Sequence, residues 1–135
     1  MIFAFSLLVA IPQEPPAAPH AVEMKEIVVI GDRLKSWKGK FAVRGTRSTC
    51  KTTVSTGDAE IDAIGCQAMA ICLPPMQARI IASDAKGIDR DIRKQMKAAL
   101  GSELARCSQN RRDALVIELV DRRFEARQGR SNAQN

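Results

Sequence analysis

Four cysteines, Cys50, Cys66, Cys72 and Cys107, are the residues of this chain whose chemistry is most restricted, and three fates are open to them: a metal site, a redox pair or structural bridges. Structural zinc sites draw thiolates in pairs two to four residues apart, because one tight turn must present both sulfurs to the ion. No such pair occurs here. Thiol oxidoreductases need C-x-x-C at a helix N-terminus, where the dipole lowers a thiol pKa; that spacing is absent too. Two disulfides are therefore expected.

Helix geometry selects the pairing. The segment "DAEIDAIGCQAMAICLP" places Ile61, Ile64, Ala68, Ile71 and Cys72 in the recurrence of an amphipathic helix, with Asp58 after Gly57 as its cap and Pro74 as its stop. Within such a helix Cys66 and Cys72 stand about 9 Å apart along the axis and about 120° apart around it. That exceeds the roughly 7 Å between alpha carbons that a bridge tolerates. Cys72 shares the apolar stripe with Ile61, while Cys66 lies on an alanine-rich flank. Downstream, "GIDRDIRKQMKAALGSELARC" puts Ile88, Ile92, Met96, Ala99, Leu100, Leu104 and Cys107 on one side of a second helix. Cys107 thus faces the same interior as Cys72, and Cys66 is free to meet Cys50. The expected bridges are Cys50 to Cys66 and Cys72 to Cys107.

A second group of chemically capable residues lies between Arg33 and Lys51. Arg33, Lys35, Lys38, Lys40, Arg44, Arg47 and Lys51 occur there with no acidic residue, and Trp37 and Phe41 are interleaved. Such a block can grip phosphates through charge plus an aromatic wedge. The competing reading is a solvated sheet face whose Trp37 belongs to the core. Nucleic acid is not the expected ligand, since no nucleic-acid-binding signature accompanies the charges. Carboxylates occur as Asp58, Glu60 and Asp62, and as Asp89 with Asp91. A pair flanking a cleft could hydrolyse a glycoside, but in the first turn of a helix the dipole alone accounts for them. The Ser/Thr-rich "GTRSTCKTTVSTG" has no histidine or Ser-x-x-Lys to activate a nucleophile. No catalytic residue is assigned, and no cofactor or metal is expected.

These groups must be carried by one small domain. The chain has 135 residues, 45% hydrophobic and 27% charged, with a net charge of +6, an ordinary globular composition. It opens on an apolar run, "MIFAFSLLVA", followed by the proline-rich "PQEPPAAPHA". Residues 1–21 read as an export signal with a spacer, cut after Ala10 or Ala21. The run is far shorter than the roughly 20 residues of a spanning helix, so the mature chain is expected to have no transmembrane span and to reside in the periplasm or outside the cell. A cut after Ala21 removes one acid, Glu14, and the single histidine, His20; tyrosine is absent throughout.

"KEIVVIGDRL" has the β-branched run of a strand ending in a turn, and "GKFAVRGTRSTCKTTV" reads as a hairpin about "RGTR". "PPMQARIIAS" allows a short helix, with Ser83 or Asp84 capping the long basic one. "NRRDALVIELVDRRFEARQG" reads as a further helix capped at Asn110, with a buried strand over 114–120 as the competitor. "SNAQN", 131–135, reads as a disordered tail. The expected fold over 22–130 is α+β, a few short strands or a hairpin followed by three to four helices and closed by two disulfides.

Two resemblances follow from these stretches. "EIVVIG" resembles, over six residues, the energy-coupling box of TonB-dependent outer-membrane receptors, with Ile30 where threonine is usual; this implies a TonB-type partner reached by strand addition. The "EIVV.G.RL..W.G" opening, the "CK...STGD.EID.IGC" block and the "RR.AL..EL..RR" close look like small exported proteins of alphaproteobacteria. That likeness implies periplasmic residence and a four-cysteine frame, and brings no activity with it. The functional expectation is a non-enzymatic, basic binding or structural protein of the cell envelope, whose partner is another envelope protein or an anionic envelope component. The competing readings are a small hydrolase using carboxylates near Asp58 to Asp62 and the TonB-type partner.

Overall fold

The computed structural model describes residues 19–44 and 47–134. The expected signal lies outside the described residues except for its last three, which belong to a helix. The order is α1 (Pro19–Ser36), β1 (Lys38–Arg44), β2 (Arg47–Val54), α2 (Ala59–Cys72), a 3-10 turn (Pro74–Met76), α3 (Gln77–Ser83) and α4 (Arg90–Ala133). The α+β expectation holds, with both bridges formed as expected: Cys50 to Cys66 with alpha carbons 5.6 Å apart, and Cys72 to Cys107 at 5.9 Å.

The "KEIVVIGDRL" segment departs from expectation, since it is the body of α1 and no strand. β-branched residues cost a helix a few tenths of a kcal/mol each, but burial decides. A helix sets Ile27, Ile30 and Leu34 on one face, where Ile30 and Leu34 are buried with Ile61, Ile64, Val116, Leu119 and Val120. An extended chain would divide them between two faces. Arg33 and Lys35 fall in the last turn, where cations suit the dipole. Strand addition through Glu26–Gly31 would take Ile30 out of the core, so the strand that the TonB-type reading requires is corrected.

β1 and β2 pair antiparallel, Phe41 opposite Cys50 and Arg44 opposite Arg47, which leaves the two residues 45–46 to join them. α2 begins as expected: Asp58 accepts from the amides of Glu60 and Ile61, and Gly57 supplies a φ of +82° that other residues adopt at a cost. Pro74 and Pro75 end it in a 3-10 turn, and the short helix anticipated after them is α3.

α4 also differs from expectation. Its cap is Asp89, which accepts from the amides of Asp91 and Ile92. Ser83 instead donates to the Ile80 carbonyl, and Asp84 pairs with Lys97. The helix then runs 44 residues, about 66 Å at 1.5 Å per residue, with no new start at Asn110. No proline or glycine stands between Cys107 and Phe124, and asparagine inside a helix costs well under about 1 kcal/mol. Residues 114–120 are helical, burying Val116, Leu119 and Val120 at i, i+3 and i+4, and the tail expected to be disordered is helical through Ala133.

Candidate anion-binding site

The hairpin has two unlike faces. Phe41, Cys50 and Thr52 are half-buried on the side facing α2, and the Cys50 to Cys66 bridge fixes that side to the helix. Trp37, just before β1, lies beneath this face. Gly39 of β1 and Gly65 of α2 both abut its ring; a β-carbon at Gly65 would come within 2.5 Å of it. The indole Nε1 donates to Thr52 Oγ1 at 3.1 Å, Phe41 packs with ring centroids 6.1 Å apart, and the Arg112 guanidinium lies 5.4 Å above the ring. Trp37 is therefore a core residue, and its expected part as an aromatic wedge on the ligand face is corrected.

The opposite face follows from strand alternation. Lys38, Lys40 and Arg44 of β1 stand with Arg47 and Lys51 of β2, all exposed. The register sets Lys40 directly opposite Lys51 and Arg44 directly opposite Arg47. Like charges directly opposite destabilise a hairpin, and no carboxylate among the described residues pairs with any of the five. The other two cations of the block stand apart: Arg33 and Lys35 belong to the last turn of α1, and Lys35 is held by Asp32 at 2.8 Å. Five of the seven expected cations are thus gathered on one face.

The acidic candidates are employed in the fold. Besides capping α2, Asp58 accepts from Arg123 Nη2 at 2.7 Å, and the same arginine donates to Glu60 at 2.8 and 3.0 Å. Glu26 of α1 closes the network, 2.7 Å from Arg127 and 3.9 Å from Arg123. Asp62 accepts from the Ser55 hydroxyl and from the amide and hydroxyl of Thr56. Burial pushes the Asp58 carboxyl up, but the Arg123 hydrogen bond and charge and the Ile61 and Glu60 amides outweigh it, leaving it below its ordinary value. The Ser55 and Thr56 bonds lower Asp62 likewise. A catalytic acid working near neutrality needs the opposite shift. Arg123 escaped the sequence reading because its partners lie 63 and 65 residues away; the only local sign was a basic pair, "RR", with no acid at helical spacing to use both.

Comparison with protein-family models, with curated proteins and with solved structures finds no match. The chemistry of the hairpin lies in its own residues. It presents two ranks of cations on a scaffold fixed by a disulfide and by Trp37, and such a surface attracts multiply charged anions.

Proposed function

We propose that the protein is an exported binding protein of the cell envelope, whose cationic hairpin face docks on a phosphate-bearing envelope component. The observation that carries this reading is the direct opposition of Lys40 with Lys51 and of Arg44 with Arg47, without a carboxylate partner. A polar edge would be protected from aggregation by a single charge, whereas two facing pairs weaken the hairpin unless an anion lies over them. Export is supported by the apolar opening of the chain and by two disulfides, which persist in oxidising compartments. No helix among the described residues is long and apolar enough to cross a membrane.

Phosphocellulose chromatography tests the reading with two charge-matched variants. One replaces Lys40, Arg44, Arg47 and Lys51 by threonine; the other replaces Lys86, Lys94, Arg111 and Arg130, all exposed, by glutamine. The wild type and the second variant should be retained to high salt. The hairpin variant should elute early and with a shallower salt dependence, because it neutralises fewer phosphates. Low-salt elution of the wild type, or equal retention of both variants, would dispose of the proposal.

A further inference from the structure

An open groove of about 370 Å³ runs between α1 and the middle of α4, a volume within the range of small-molecule sites. Val28 and Leu34 of α1 and Val116 of α4 are its apolar lining, and Arg112 stands one helical turn before Val116 on α4. Arg112 is half-buried. Its Nε is buried without a hydrogen-bond partner, and its guanidinium rests on the Trp37 ring. Among the described residues its terminal nitrogens donate to nothing, in contrast to Arg123, which the same helix turns onto Asp58 and Glu60.

The two acids of the groove are already engaged: Asp32 accepts from Lys35 at 2.8 Å, and Asp113 accepts from Gln109 at 2.9 Å. That leaves Arg112 as a planar cation over an indole, with its fork of donors uncommitted. Such a fork matches a carboxylate in bidentate geometry. The formal charges of Asp32, Lys35, Arg112 and Asp113 cancel, so the groove has no surplus to hold a dianion against two carboxylates. A single negative charge with a hydrocarbon body satisfies both the guanidinium and the apolar lining.

We infer that this groove binds a small amphipathic monocarboxylate, its carboxylate on Arg112 and its tail along Val28, Leu34 and Val116. The site is distinct from the cationic hairpin in place and in ligand: monoanionic and partly apolar here, polyanionic there.

The test is a calorimetric titration of the full chain with octanoate, with butyrate and inorganic phosphate as comparators. Trp37, the only tryptophan, reports the same event by its emission. One saturable site is expected, with octanoate bound about tenfold to a hundredfold tighter than butyrate, as its four extra methylenes require when partly buried in an open groove, and with phosphate silent in Trp37 emission. Arg112→Gln should weaken octanoate at least about tenfold through loss of a charge-assisted pair. Because that change also touches Trp37, Val28→Glu provides a second arm. Val28 is 61% exposed, so this variant keeps the fold and should lose octanoate to the same degree. The fourfold threonine variant of the hairpin should bind octanoate as the wild type does, which separates this site from the phosphate-docking face. No saturable binding by the wild type, equal affinity for butyrate and octanoate, or undiminished binding by Val28→Glu would each overturn the inference and leave Arg112 as a cover for Trp37.

Discussion

Residues 108–130 of α4 and residues 90–107 of the same helix are held in place differently. In the C-terminal stretch Val116, Leu119 and Val120 are buried among Ile30, Leu34, Trp37, Ile61 and Ile64, and Arg123 and Arg127 tie it to α1 and α2. In the N-terminal stretch no residue is fully buried, and Ile92 is 55% exposed. What fastens that stretch is the Cys72 to Cys107 bridge, the exposed pairs Arg79 with Glu103 and Lys97 with Asp84, and one bond from Arg93 to the Ala85 carbonyl. Exposed pairs contribute roughly 0 to 1 kcal/mol each. One helix thus spans a cohesive end that lines the Arg112 groove and a thin end that depends on a covalent staple.

The sharpest way to break this contrast is at Trp37. Its ring fills the space left by Gly39 and Gly65 and underlies Arg112, so Trp37→Ala opens a cavity that backbone on two sides cannot close. The expected loss is about 3 to 5 kcal/mol, read as a fall in the urea midpoint followed by far-ultraviolet circular dichroism. A loss below about 1 kcal/mol, the ordinary effect of a substitution, would mean that the cohesive end is not organised around this residue.

Removing the staple should act at the other end. A Cys72→Ser, Cys107→Ser double variant frees a loop of sequence separation 35, worth at most about 4 kcal/mol on loop entropy. Hydrogen exchange should quicken over residues 74–106, while 112–123 keep their protection and Trp37 its emission. Uniform acceleration along α4 would show that the two ends are one cooperative unit.

The same division explains what was legible in the sequence. Both bridges could be read because helix rise and twist are fixed, so positions 66 and 72 could not meet, while 72 and 107 each lay in the apolar stripe of its own helix. The ends of α2 were legible because Asp58, Gly57 and Pro74 act on neighbouring residues. The identity of α1 was hidden: "EIVVI" is strand-like by propensity, and the burial that overrules it comes from α2 and α4, both distant along the chain. The length of α4 was hidden at Asn110, a residue type that favours caps, although no proline or glycine interrupts the chain there. The cationic block was visible as composition, but its sidedness required the strand register, which gathers five cations and leaves Arg33 and Lys35 on a helix. The uncommitted state of Arg112 was beyond reach, because it depends on which acids its neighbours have already taken.

The smallest expected effect concerns pH and compares one carboxylate from each end. Asp58 at the cohesive end is a fifth exposed and 2.7 Å from Arg123; Asp84 at the thin end is 62% exposed and 2.6 Å from Lys97. Both lie below their ordinary values, Asp58 because the Arg123 and amide bonds outweigh its burial, and Asp84 through the Lys97 hydrogen bond and charge. A carboxyl depressed in the folded state stabilises the protein above its unfolded value, near 4, and this contribution is lost as pH falls through the folded value. The acid limb of stability therefore lies below about pH 4. Solvent screens Asp84, so its share of that limb should be small. Asp58→Asn retains the cap, since asparagine caps as well as aspartate, but it cannot titrate. Urea midpoints measured from pH 7 down to pH 2 should show a shallower acid limb for Asp58→Asn and an unchanged one for Asp84→Asn. Asp58→Ala should in addition lower the neutral plateau by about 1 kcal/mol through loss of the cap. An equal flattening by Asp84→Asn would place the two carboxylates in comparable surroundings and remove the electrostatic part of the contrast between the ends of α4.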